Sequence, residues 1–176
     1  MDIYAAVDLA GDPVAEALKA EADDANWIHF FDAEGEVMGG PQNIAALHRV
    51  LGAVGLQVQF QGGVRLVHTA ELVLGLGASR VVVDSAETIT ERALANMFSR
   101  FGDGCAAIAD GPDRAKMLME AGCRHLIYTG IVEAVPRPDR GSLIVHAQTA
   151  RNALALRDVG VAGVIVDASL VSSIVG

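Results

Sequence analysis

Ser79-Arg80-Val81-Val82-Val83-Asp84-Ser85-Ala86 and Ala162-Gly163-Val164-Ile165-Val166-Asp167-Ala168-Ser169 share one pattern: a small residue, a β-branched run, then aspartate and small residues. Each follows a Leu/Gly-rich stretch of the kind that ends a helix. A second echo, Ala5-Ala6-Val7-Asp8 and Ala107-Ile108-Ala109-Asp110, opens each half of the chain. A block read twice implies duplication. It predicts one (βα)8-barrel domain over residues 1–176, built from half-barrel repeats at roughly 1–101 and 102–176.

Outward from these runs, β-branched segments alternate with Ala/Leu-rich ones, the mark of a parallel α/β fold. Strands are predicted at Ile3–Val7, Trp27–Phe31, Gln57–Phe60, Arg80–Val83, Cys105–Ala109, His125–Tyr128, Leu143–Val145 and Gly163–Val166. Helices fit at Pro13–Ala22, Asn43–Gly52, His68–Leu76, Glu87–Arg100, Pro112–Ala121 and Ala147–Asp158, with a short last one at Ser169–Ile174. Asp12-Pro13 and Gly111-Pro112 place proline at the first helical position, where its missing N–H costs nothing. Eight units in 176 residues leave about 22 residues each, against a typical barrel of about 250 residues. This is a minimal barrel with shortened loops. Gly130–Gly141 contains Pro136 and Pro138, which leave no room for the helix after strand 6. A doubly wound sheet, the alternative, carries a glycine-rich phosphate loop after its first strand, and Leu9-Ala10-Gly11-Asp12 is not one.

Composition narrows the function. Lys and Arg number 13 against 22 Asp and Glu, a net charge of −9, which argues against nucleic acid as a partner. Hydrophobic residues make up 52%, too many for a disordered chain, yet no apolar run reaches the ~18 residues of a membrane span. Met1-Asp2-Ile3-Tyr4 lacks the basic start of a signal peptide, and Cys105 and Cys123 cannot form a disulfide framework. A cytoplasmic protein with a small-molecule ligand is expected, with neither nucleic acid nor membrane as partner.

Five motifs together resemble the ProFAR isomerase family of histidine biosynthesis: Ala6-Val7-Asp8-Leu9, Trp27 to Gly35, Val58 to Arg65, Leu126-Ile127-Tyr128-Thr129 and Gly160 to Val166. The resemblance implies a (βα)8 barrel and an aldose–ketose (Amadori) isomerase of a sugar-phosphate or amino-sugar substrate, with no metal or organic cofactor. It carries the acid/base pair onto Asp8 and Asp110 and the threonine after strand 6 onto Thr129. Opening a ribose ring and moving a C2 proton needs one donor and one acceptor, hence two carboxylates whose environments differ.

The family holds two phosphates on glycine-rich backbone after strands 3/4 and 7/8, where amide N–H groups can approach closely. Here Gly62-Gly63 remain, but Asp84-Ser85, His146-Ala147-Gln148 and Asp167 replace the other glycine motifs, and Gly130 stands where an aspartate follows the threonine. The long first loop is absent between Asp8 and Asp12. Asp32, Gly62, Gly63, Arg65, Asp84, His146 and Asp167 are the expected substrate contacts. Arg65, with Arg137 and Arg140, supplies the cations nearest a mouth of five aspartates. Each residue has a plainer alternative: helix capping for Asp8, Asp84, Asp110 and Asp167, a tight turn for Gly62-Gly63, and an exposed loop position for His146. The clustered carboxylates also suit a cation or amine, although no spacing matches a metal motif. The competing function is a barrel that has lost the reaction and serves as a binding or structural protein. The uncovered outer face of strands 6 and 7 predicts a homodimer with Ile131, Val132 and Val135 near the contact.

Overall fold

In the computed structural model, residues 1–7, 9, 11–84, 89–130 and 141–175 are described. Eight parallel strands follow one another in chain order and close into a barrel, β8 pairing back onto β1. They are β1 (Asp2–Val7), β2 (Trp27–Phe31), β3 (Gln57–Val64), β4 (Arg80–Val83), β5 (Cys105–Ala109), β6 (His125–Tyr128), β7 (Ser142–His146) and β8 (Gly163–Asp167). The helices are α1 (Pro13–Ala22), α2 (Ala33–Met38), α3 (Ile44–Ala53), α4 (Val67–Gly75), α5 (Glu91–Phe101), α6 (Pro112–Glu120), α7 (Ala150–Val159) and α8 (Ser172–Val175).

Alternation along each strand produces two apolar layers. One face joins the helices in a continuous core that includes Ile28, Phe30, Phe60, Val81, Leu126 and Val164. The other face fills the barrel with Tyr4, Val82, Ala106, Ile127, Ile144 and Ile165. Parallel strands covered on both faces need this near-continuous apolar sequence. The floor is polar. Arg80, 6% exposed, stacks 4.5 Å from the centre of the Trp27 ring and donates to the Tyr4 hydroxyl, Gln59 Oε1 and the Asp103 carbonyl, each at 3.2 Å.

Five features differ from expectation. Strand 3 continues through Gly62-Gly63 to Val64, with a register shift against β4 between Gln61 and Val64. Helix α2 was not anticipated, because six residues containing Gly35 lack an apolar period; the Asp32 side chain starts it by accepting from Gly35 N–H. Helix α5 begins at Glu91 with Thr90 as its cap rather than at Glu87, and α7 begins at Ala150 with Thr149 as its cap rather than at Ala147, whose N–H still bonds Ile165 O. The last expected helix divides into a 3-10 turn over Ala168–Leu170 and α8. Residues 131–140 of the segment expected to lack a helix, with the homodimer contact at Ile131, Val132 and Val135 and with Arg137 and Arg140, lie outside the described residues. Among the described residues, no helix is long and apolar enough to cross a membrane.

Candidate active site

Two adjoining cavities occupy the C-terminal ends of the strands, the end where barrels of this kind carry their chemistry. The central one, about 280 Å³, is lined by Ala6, His29, Phe31, Gln61, Ile108, Ile127, Thr129, His146 and Ile165. The second, about 650 Å³, shares Ala6 and Phe31 with it and extends past Val7, Leu9, Ala33, Glu34 and Asn43 to Asp167.

Asp110 and Thr129 leave the sheet side by side, because Ala109 and Tyr128 are register partners in β5 and β6. The Thr129 N–H donates to the Ala109 carbonyl at 3.0 Å, which fixes Thr129 against the root of Asp110. Asp110 itself is exposed. Gly130 is tightly enclosed: a Cβ there would lie 2.6 Å from the Asp110 carbonyl oxygen and 2.8 Å from the Tyr128 hydroxyl. That contact explains why no side chain follows Thr129. Asp8 lies outside the described residues, though both chain neighbours, Val7 and Leu9, line the larger cavity.

His29 hangs from β2 into the barrel and is 4% exposed. Its Nδ1 lies 2.9 Å from Gln59 Nε2. Since Arg80 occupies Gln59 Oε1, the Gln59 amide must donate, so Nδ1 accepts and the ring proton sits on Nε2. Gln61 also hydrogen-bonds His29 and donates through Nε2 to Glu36 Oε1 at 3.2 Å. Burial, reinforced by His146, pushes the His29 pKa down to about 4 against the opposing Gln61 bond. Burial also lowers that of His146, at the end of β7. The centre of the mouth therefore presents two neutral imidazoles at neutral pH.

Asp32 holds structure together. It is fully buried, and its carboxylate accepts from Gly35 N (2.9 Å), Gln42 N (2.8 Å), Asn43 N (2.9 Å) and Asn43 Nδ2 (2.8 Å). Burial alone would raise its pKa, but these bonds outweigh it and hold the carboxyl below its usual value. Gly62 and Gly63 close under the same segment. A Cβ on Gly62 would meet Asp32 Cβ at 2.5 Å, and one on Gly63 (φ 67°) would meet the Gly35 carbonyl at 2.2 Å. Both positions demand glycine because two backbones touch.

Arg65, the residue after β3, binds Asp84, the residue after β4, through Nε at 2.6 Å, and its Nη2 donates to the Glu36 carbonyl at 2.9 Å. Burial raises the pKa of Glu36, Gln61 opposes this, Asp84 adds to it and Arg65 opposes it. Asp167 ends β8, where its Oδ1 accepts from the Ser169 N–H (2.8 Å) and hydroxyl; these bonds lower its pKa against a smaller effect of burial. Among the described residues, no lysine or arginine lines either cavity, and no group of three or more His, Cys, Asp or Glu is arranged to hold a metal. Sequence reasoning missed Gln59, Glu36 and Asn43. The signal available was the in-register neighbour: Gln59 pairs with both His29 and Arg80 across β3.

Comparison with known proteins agrees with this architecture. A protein of Chloroflexus aggregans, a 1-(5-phosphoribosyl)-5-((5-phosphoribosylamino)methylideneamino) imidazole-4-carboxamide isomerase, is 29% identical over 195 aligned residues covering 92% of this chain and 80% of its own. Isomerases of the same name from Opitutus terrae and Pelotomaculum thermopropionicum are each 33% identical, over 62% and 58% of this chain. The chain spans 53% and 39% of the lengths of those two relatives. The family model described as histidine biosynthesis protein matches residues 4–120, from β1 through α6, and so takes in the His29, Arg65 and Asp110 positions. With that match extending through most of a closed barrel, the chain belongs to the histidine biosynthesis protein family.

Proposed function

We propose that this barrel is an aldose–ketose isomerase of the Amadori type, acting on a small sugar derivative at the C-terminal mouth. The observation that supports it is the pairing of Asp110 with Thr129 beside a cavity of about 280 Å³, with the chain on either side of Asp8 lining the adjoining cavity. In the reaction one carboxylic acid protonates the ring oxygen of a glycosylamine, and the C1–O bond breaks to leave a C1=N iminium. The other carboxylate removes the C2 proton, giving an enaminol, and C1 then takes a proton as the C2 hydroxyl becomes a ketone. C1 is reduced and C2 oxidised within one molecule, so no external redox partner enters. Asp8 and Asp110 form the acid/base pair, and Thr129 orients the sugar. The neutral His29 and His146 offer hydrogen bonds without adding charge.

The test is turnover in D2O of N-ribosylamines with and without a 5-phosphate, followed by proton NMR. An active enzyme yields the 1-amino-1-deoxyketose carrying one deuterium at C1. Absence of product from every member of the panel, with Asp8→Asn and Asp110→Asn indistinguishable from the unmodified protein, refutes the proposal in favour of a barrel that only binds.

A further inference from the structure

Resting on the isomerase reading, we infer that the substrate of this mouth carries no phosphate, because the chain's own carboxylates occupy the places where its barrel ends would receive an anion. Three observations converge. Arg65 is the cation that the ends of β3 and β4 bring to the mouth, and it is engaged by Asp84 at 2.6 Å and by the Glu36 carbonyl at 2.9 Å. Asp84 is 5% exposed, so this pair is not a solvated surface contact that a ligand displaces cheaply. At the other side of the mouth, barrels commonly receive phosphate on the turns after strands 7 and 8. Here Asp167 directs its carboxylate onto the Ser169 N–H and hydroxyl, consuming the donors that a phosphate oxygen would use.

The lining of the cavities completes the argument. Among the described residues, neither contains a lysine or arginine, and the larger contains Glu34 and Asp167. The relatives' name carries two phosphoribosyl groups, and hence a demand for cations or open amides that the described lining residues do not meet. A dianionic phosphate entering beside Asp167 and Glu34 would meet like charge, which suppresses a ligand by well over an order of magnitude. What the walls do fit is an uncharged sugar, or one bearing an amine. Its hydroxyls can bond Thr129, Gln61 and the two imidazoles, and its carbon faces can pack on Phe31, Ile108, Ile127 and Ile165.

Two measurements decide the point. The first compares kcat/KM for N-ribosylamine and its 5-phosphate; the phosphate-free member should lead by at least about tenfold. The second titrates inorganic phosphate into the protein by calorimetry and into Asp84→Asn, Asp167→Asn and the double variant, each checked by circular dichroism and thermal melting. The unmodified protein should show no binding up to millimolar phosphate. A folded variant should gain at least about tenfold in affinity as Arg65 or the Ser169 amide is released. Preference for the phosphorylated substrate, or sub-millimolar phosphate binding by the unmodified protein, overturns the inference and leaves the isomerase reading standing. If neither substrate turns over, the isomerase reading fails, and the substrate class proposed for it falls as well. The phosphate titration then still reports whether the two seats are closed.

Discussion

Replacing Asp32 with asparagine should unfold this barrel nearly as readily as replacing it with alanine. The carboxylate sits in full burial among four N–H donors, two on each oxygen. Asparagine keeps the volume and one acceptor, but it turns an NH2 group toward two donors, so two repulsive contacts replace two bonds. Hydrogen bonds to a charged acceptor contribute about 1.5–3 kcal/mol each, and partly buried donors recover some of this from water. At about 1 kcal/mol per donor the loss is roughly 4 kcal/mol for alanine, with asparagine within about 1 kcal/mol of it. Domains of this kind hold about 5–15 kcal/mol in all. Urea unfolding followed by circular dichroism should therefore show a midpoint lowered by about 2 M at a slope near 2 kcal/mol/M. An Asp32→Asn protein within ~1 kcal/mol of the unmodified one would refute the view that Asp32 welds the turn after β2 to the start of α3.

Acid should destabilise the protein in a defined window. His29 and His125 are both pushed down to about 4, chiefly by burial, from an unfolded value of 6.5. Between those values the unfolded chain binds two protons that the folded one refuses. Stability is fully present above pH 6.5 and falls as pH drops toward 4, at up to about 2.7 kcal/mol per pH unit from these two groups, with the lowered His146 adding in the same direction. Glu36, whose pKa is raised, opposes part of this above 4.5, and His29→Asn should remove one proton from the slope measured by pH-dependent urea melts. Gly63→Ala should cost about 3 kcal/mol in thermal or urea unfolding, from left-handed backbone and a Cβ driven into the Gly35 carbonyl. Asp8→Asn and Asp110→Asn should each lower kcat by about 100-fold or more, read by the NMR assay, with KM changed less.

The eight strands are legible because short apolar runs, β-branched above all in β4 and β8, alternate with Ala/Leu-rich stretches, and barrel closure because Arg80–Val83 and Gly163–Val166 repeat each other half a chain apart. Helix α2 is not, since Ala33–Met38 has no periodicity of its own and depends on Asp32, which answers to Gln42 and Asn43 ten and eleven residues on. Strand 3 reads short because Gly62-Gly63 look like a turn, whereas close approach to Asp32 selects Gly62 and close approach to Gly35 and Gly40 selects Gly63. In the mouth, the sequence presents Arg65 and Asp84 as two separate substrate contacts. Their union follows from the Val64–Val83 register, which puts both at neighbouring strand ends. The tautomer of His29 depends on a chain of partners reaching Arg80, 51 positions away, and no local pattern encodes it.

That chain of partners acts as a key for alignment. His29, Gln59 and Arg80 are successive cross-strand neighbours, all facing inward, while β5 to β8 fill their share of the interior with Ala106, Ile108, Ile127, Ile144 and Ile165. The β5–β8 side is mostly aliphatic, with His125 and His146 as its polar exceptions, and so resists sliding less. The β2–β4 side resists it more. A one-residue slip would swing the Arg80 guanidinium out of reach of Tyr4, Gln59 and the Asp103 carbonyl and into the apolar layer beneath the helices. An uncompensated buried charge of that kind costs several kcal/mol. In a closed barrel the stagger must sum to a fixed value, so pinning three strands limits where the remaining five can close. One buried cation thus rejects misaligned barrels that a purely hydrophobic interior would tolerate.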